Sequence, residues 1–282
     1  YPLGNLMKSQ AGLSLVELMI ALLLGSLLTA AATQLFLVNR QTENLQAGIA
    51  GVQDNGRFAF DYVSRSLMEA GQHPAEPTVP FILEGSGFNS ATPLNAEIAD
   101  GDKYDVISFA VTEGRDCFGN DFTGYKMFSV GGDGNSLRCS YFSQTTTDDD
   151  DGNPVTSWGL SNASPIIDNV KAFQVLYGVD FDGPEDIGYG MADLYTNATR
   201  VKALASSINS GQVRIVSVRF AVLVASQEVV TLDTSYAPDS ITVLDHTYSQ
   251  GSDGATELNF EDGKLHRTYS STVALRNLVS GI

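Results

Sequence analysis

The chain has 282 residues, 43% of them hydrophobic, which is enough for a large domain with a real core and excludes wholesale disorder. It carries 16 basic and 33 acidic residues, a formal net charge of −17. This balance argues against nucleic-acid binding, because a protein that contacts phosphates needs a basic surface. A strongly acidic surface fits an exported domain and can attract divalent cations.

An apolar segment near the N-terminus, residues 13–38, contains a single charged residue, Glu17. About 20 helical residues cross the hydrocarbon core of a bilayer, so the segment is long enough to span a membrane. Lys8 precedes it, which predicts that this side stays in the cytoplasm and that the rest of the chain lies outside. The alternatives are a secretory signal peptide cut near Ala30–Ala32, a plain signal anchor and a buried core helix.

Glu17 is the residue that bears on this choice. An ionisable side chain in a membrane span costs roughly 2.5–3.5 kcal/mol and therefore indicates a function. Cleavage after Gly12 would give Leu13 a free ammonium group one helical turn from Glu17. The carboxylate could neutralise that amine in its own chain or in a neighbouring subunit. A plain signal anchor gives no reason for a carboxylate here.

The segment Gly12–Leu18 resembles the type III signal of type IV pilins and of the related pseudopilins of type II secretion. The resemblance implies that residues 1–12 are a leader and that a prepilin peptidase cuts after Gly12. It also implies that Leu13 becomes the methylated N-terminus and that Glu17 guides docking into the growing filament. Leu13 and Ser14 depart from that family's commonest residues, which are phenylalanine and threonine.

The helical pattern continues beyond the apolar segment. Apolar or small residues recur every three or four positions, which is typical of one face of an amphipathic helix: Leu45, Ile49, Val52, Gly56, Ala59, Val63 and Leu67. We therefore predict one helix from about Leu13 to Gly71, with a transmembrane or filament-core half over 13–38 and an amphipathic half over 39–72. The segment lacks proline, so any local melting would come from Gly25, Gly48 or Gly51.

After Pro74 the sequence changes to short β-type runs separated by turn residues. Six strands are predicted, at Tyr104–Thr112, Tyr125–Val130, Leu137–Phe142, Val170–Val179, Val213–Ser226 and Arg267–Leu275. In the fifth, alternate valines and Phe220 fall on one face, which suits an antiparallel strand with one face on the core. The predicted fold class is α+β and pilin-like: a long N-terminal helix, then a mainly antiparallel globular domain over 73–282.

Four further segments make the resemblance to type IV pilins more specific. Residues 55–62, 173–180, 216–220 and 271–277 are similar, in the same order, to PilW-like minor pilins. The resemblance implies a low-abundance subunit that primes the type IV pilus, with the major pilin, other minor pilins and prepilin peptidase as partners. It implies a single-pass inner-membrane protein with a periplasmic C-terminal domain, later part of the extracellular pilus.

Cys117 and Cys139 are the only cysteines. An even count in an exported domain favours one disulfide, and two unrelated buried thiols are the alternative. The predicted role of the disulfide is to hold an exposed loop in place.

Aspartates are dense at residues 148–151 and 180–186. Asp180, Asp182 and Asp186 follow a predicted strand and supply the oxygen ligands that calcium prefers. A solvated acidic turn is the alternative there, and the four-aspartate run is typical of a mobile loop. No other cofactor is predicted.

No catalytic spacing occurs among the three histidines, and the sequence lacks a GxSxG, HExxH or GK[ST] motif. We therefore predict no enzyme, and the resemblance implies a structural minor pilin of the type IV pilus. The rival hypotheses are a type II secretion pseudopilin and a membrane-anchored periplasmic binding or enzymatic domain.

Overall fold

The computed structural model describes residues 12, 14–71, 81, 103–131, 136–148, 154–230, 235, 237–251 and 257–275. Three helices are present among them: α1 Leu15–Met68, α2 Ala198–Ala203 and α3 Ala205–Asn209. The strands are β1 Ile107–Arg115, β2 Asp121–Val130, β3 Ser136–Asp148, β4 Pro154–Leu160, β5 Ser164–Asp168, β6 Val170–Asp180, β7 Leu194–Thr196, β8 Arg214–Ala225, β9 Ser240–Val243, β10 His246–Gln250, β11 Glu257–Leu258 and β12 His266–Ala274. The chain divides into two compact units, Tyr1–Gln46 and Ala47–Ile282.

In the first unit, α1 carries exposed apolar side chains from Leu15 to Val38. An 18-residue window has a mean hydropathy of 2.2, so by length and composition the helix could cross a membrane. Hydroxyls of Ser26, Thr29 and Thr33 donate to backbone carbonyls three or four residues earlier, at 2.8 Å. These bonds satisfy polar groups that lipid could not.

In the second unit, the apolar stripe of α1 faces the core. Val52, Ala59, Val63 and Leu67 are at most 1% exposed, as the period of three and four predicts. Leu45, which falls in the first unit, is 42% exposed. The helix ends at Met68, three residues before the predicted Gly71.

Two glycines of α1 are close-packing positions. A Cβ at Gly48 would clash with Cγ1 of Val230, and one at Gly56 would clash with the ring of Tyr269. Gly51 has open space around it. The helix is continuous through all three glycines and through Gly25, so none of them marks a break; two of them make room for neighbouring side chains.

The described residues of the second unit also form three sheets. A four-stranded sheet has the order β12-β8-β6-β7, and a five-stranded sheet has the order β1-β2-β3-β4, with β5 also paired to β3. A small sheet has the order β11-β10-β9. All pairs are antiparallel except β10 with β11, which confirms a mainly antiparallel architecture. A long helix followed by these sheets confirms the predicted α+β class.

The main core lies between α1 and the two larger sheets, and includes Val63, Phe109, Phe128, Phe173 and Phe220. A second apolar cluster lies on the opposite face of β6 and β8, where Ala172, Ala221 and Leu223 pack under Val243, Tyr248, Leu258 and Phe260. The one-sided burial predicted for Val213–Ser226 is therefore wrong over much of β8, because the small sheet covers its second face.

Candidate functional site

Glu17 lies in the first turn of α1. Ser14 precedes the helix, and its Oγ accepts a hydrogen bond from the backbone N–H of Val16 at 3.3 Å. Its carbonyl accepts one from Leu18 at 3.1 Å. Glu17 is thus the third helical residue, where the positive end of the helix favours a carboxylate.

Glu17 has no ion-pair partner among the described residues, and its helical neighbours are apolar. Gly12 belongs to the described part of the chain, whereas the predicted new terminus Leu13 and the rest of the leader lie outside it. The pairing of Glu17 with the Leu13 ammonium, and the processing role of Gly12, stay predictions.

The two cysteines form the predicted disulfide. Cys117, between β1 and β2, is bonded to Cys139 on β3, with their Cα atoms 5.7 Å apart. The hydroxyl of Tyr62 on α1 donates to the carbonyl oxygen of Cys117 at 3.2 Å. The cross-link therefore fixes the β1–β2 connection to β3 and places it against the helix.

The adjoining turn is organised by Asp116. Its Oδ1 accepts hydrogen bonds from the backbone N–H groups of Phe118 and Asn120, at 2.7 and 2.9 Å. Burial alone would raise the pKa of Asp116, but hydrogen bonds from Asn120, Phe118 and Gly119 outweigh it and lower that pKa. These bonds hold the turn that carries Cys117.

The acidic loop between β6 and β7 is built on Asp180, which is fully buried. Its two carboxylate oxygens accept hydrogen bonds from the backbone N–H groups of Asp182 and Gly190, each at 2.8 Å. Arg214 on β8 donates to Asp180 Oδ2 at 2.6 Å and to the carbonyl of Asp182 at 3.0 Å. The same guanidinium lies 3.4 Å from the ring centroid of Tyr189. A cation from the chain itself therefore already pairs with Asp180.

The predicted calcium ligands are only partly brought together. Carboxylate oxygens of Asp180, Asp182 and Asp193 all lie within 4.8 Å of one another. Asp186 is not part of this group, and its Oδ2 accepts a hydrogen bond from the backbone N–H of Gly183 instead. Asp193 was missed because it lies beyond the loop, where its partners cannot be read from spacing. Calcium binding here stays a prediction.

Negative charges are nonetheless crowded at this loop. Desolvation, and then the charges of Asp193, Asp180 and Asp186, raise the pKa of Asp182, while Arg214 opposes the shift. The other acidic run, residues 148–151, lies outside the described residues except for Asp148.

A family model described as Type IV Pilus-assembly protein W matches residues 127–277, and one described as the prokaryotic N-terminal methylation motif matches residues 7–33. Among solved structures, a type IV-like pilin from Thermus thermophilus is 13% identical, covering 80% of this chain and 97% of that chain, with a TM-score of 0.37. A comparison with curated proteins found no match.

The methylation motif and the apolar first helix define the class, a membrane-anchored prepilin-type subunit. Because the larger match covers more than half of the sequence, the chain belongs to the Type IV Pilus-assembly protein W family. Membership implies work with the pilus machinery and processing by prepilin peptidase. It also confirms the prediction of a structural protein without enzymatic activity.

Proposed function

We propose that this chain is a minor pilin that helps to prime and assemble the type IV pilus, and that it supports twitching motility and attachment through the filament. The family match over residues 127–277 carries the proposal. Its partners are other minor pilins and the major pilin. It is held in the inner membrane with the globular domain in the periplasm, and then becomes part of the extracellular pilus.

The proposed assembly step depends on Glu17. Residues 13–38 would leave lipid for the filament core, and the lone carboxylate would pair with a Leu13 ammonium created by cleavage after Gly12. Glu17 has the correct position for this role, because it lies in the first helical turn with no cation beside it among the described residues.

The test is Glu17→Ala in the full chain, with Glu43→Ala as the matched control on the same helix. Filaments are sheared from the cells, and the amount of this chain in them is measured by immunoblot. Mass spectrometry then reads the mature N-terminus. We expect a methylated Leu13 in the wild type, a large loss of Glu17→Ala from filaments and normal incorporation of Glu43→Ala.

The two rival hypotheses predict different experimental results. A retained leader, or a cut near Ala32, would favour a membrane-anchored periplasmic domain. A deletion strain that keeps its surface pili but loses protein secretion would favour a pseudopilin of type II secretion. Normal filament entry of Glu17→Ala with an unmodified N-terminus would end the proposal.

A further inference from the structure

Arg219 on β8 is held in a fixed position by its neighbours. Its guanidinium carbon lies 3.9 Å from the ring centroid of Tyr195 on β7. Its Nε donates to Oγ1 of Thr272 on β12 at 3.0 Å. The hydroxyls of Tyr195 and Ser217 are hydrogen bonded to each other, with their oxygens 3.0 Å apart. Contacts from β7 and β12 therefore hold this side chain of β8 in place.

Gly178 on β6 makes room for this arrangement. A Cβ at this position would lie 2.8 Å from Cβ of Ala192 and 3.1 Å from Cε1 of Tyr195, and it would clash with Oγ of Ser217. A residue without a side chain is therefore required for the Tyr195 ring to lie against the sheet. Tyr195 and Thr272 form a platform under Arg219, and this platform is part of the fold rather than a chance contact between mobile side chains.

Within the part of the chain that the structure describes, Arg219 has no ion-pair partner. No carboxylate among the described residues lies within 4.0 Å of its guanidinium nitrogens. Arg214 on the same strand makes a useful contrast, because it also stacks on a tyrosine but pairs with Asp180. What sets Arg219 apart is its fixed position, because both an aromatic ring and a hydroxyl contact its guanidinium.

Arg219 lies on a face of the sheet that the rest of the second unit covers only in part. The β-bulge in the β6–β8 pairing places Arg214 opposite Asp180 and Arg219 opposite Leu176, on one face of the sheet. The small sheet covers this face at Ala221 and Leu223, whereas the outward residues Ser270 and Thr272 of β12 remain exposed. Arginine and tyrosine, the two residue types stacked here, are enriched at binding hot spots.

We propose that Arg219, on its platform of Tyr195 and Thr272, binds a carboxylate of a neighbouring pilus subunit; this rests on the proposed function. The Nε donates to Thr272, and neither Nη group donates to a residue that the structure describes. The planar spacing of these Nη donors matches the two oxygens of a carboxylate. The neighbour is a different subunit, because two copies with a net charge of −17 repel each other.

The experiment compares Arg219→Glu with Arg200→Gln in the full chain. Arg200 is exposed on α2, so its substitution removes a positive charge without touching the platform. Filament incorporation is measured as for Glu17→Ala. A photo-crosslinking amino acid at Ser270, beside the platform, identifies the neighbour by mass spectrometry.

We expect Arg219→Glu to lower incorporation about tenfold or more, because it replaces an attraction with a like-charge contact at the centre of an interface. Arg200→Gln should assemble as the wild type does. Both variants should still unfold cooperatively and carry the methylated N-terminus, which separates a lost contact from a lost fold. Exchange of the neighbour's crosslinked carboxylate residue for lysine should restore incorporation of Arg219→Glu.

Other outcomes overturn the inference. If Glu17→Ala blocks assembly and Arg219→Glu does not, the chain is a pilus subunit and Arg219 is not its contact. If Glu17→Ala also assembles normally, the proposed function itself fails. A Ser270 crosslink to a second copy of this chain, or binding of inorganic phosphate that is lost in Arg219→Glu without any change in incorporation, would assign Arg219 a different occupant.

Discussion

Two glycines of α1, five residues apart, should respond in opposite ways to the same substitution. Gly51 is exposed, and a Cβ there meets nothing within 4 Å, so Gly51→Ala should stabilise the protein by about 1 kcal/mol through helix propensity. Gly56→Ala gains the same propensity, but its Cβ falls on three atoms of the Tyr269 ring. Overpacking of that kind costs about 1–3 kcal/mol.

The propensity gain is common to both variants, so the difference between them measures the overpacking. We expect Gly56→Ala to be less stable than Gly51→Ala by about 1–3 kcal/mol. Urea unfolding of the full chain in detergent, followed by circular dichroism, gives both free energies. Equal stability of the two variants would refute the packing of α1 against β12.

A second substitution separates the clash from other effects. In the background of Tyr269→Ala, the ring that meets the new Cβ is absent. Gly56→Ala should then stabilise by about 1 kcal/mol, as it does at an open helical site. A penalty that persists in this background would place the clash elsewhere.

Three further predictions concern charge and cross-linking. Glu69→Gln should cost about 1–3 kcal/mol in urea unfolding at pH 7, because it leaves the buried ammonium of Lys126 without its carboxylate. Burial lowers the pKa of Lys126, so this deficit should shrink at alkaline pH where the amine is neutral; a deficit independent of pH would contradict the pairing. Replacement of Cys117 and Cys139 by serine should cost about 3 kcal/mol, since the bond closes a long loop, and an unchanged urea midpoint under non-reducing conditions would contradict this. Asp182→Asn should raise the free energy of unfolding at pH 7 in EGTA, because the pKa of that carboxyl is raised in the folded state, and the gain should vanish below the ordinary value of 3.8. If the predicted calcium site exists, calcium should raise the Tm of the wild type more than that of this variant, and equal Tm values with calcium and EGTA would dismiss the site.

The sequence predicted the elements that depend on local pattern. The stripe from Val52 to Leu67 has a helical period, and it is buried as expected. The six predicted strands all correspond to observed ones, because each is a continuous β-type run. The apolar segment and Glu17 were recognisable for the same reason, since spacing along one helix is a local property.

Short strands and features that depend on distant partners were not predicted. The short strands β7, β9, β10 and β11 carry too few residues for a periodic signal, and their pairing stabilises them. Asp193 joins the acidic loop only because β7 pairs with β6. The residues of the Arg219 platform lie on three different strands, so their contact could not be predicted from sequence spacing.

The hydroxyls in the first half of α1 that hydrogen bond to their own helix affect how easily this half can leave a lipid environment for a protein one. From Leu18 to Thr33 the polar side chains are Ser26, Thr29 and Thr33, and each already donates to the backbone of its own helix. Over these four turns, the helix can pass from contact with lipid acyl chains to contact with other helices without making or losing a hydrogen bond. Under the proposed function, Glu17, in the first turn of the helix, is then the side chain that would distinguish a filament from lipid, because a carboxylate in lipid needs a cationic partner.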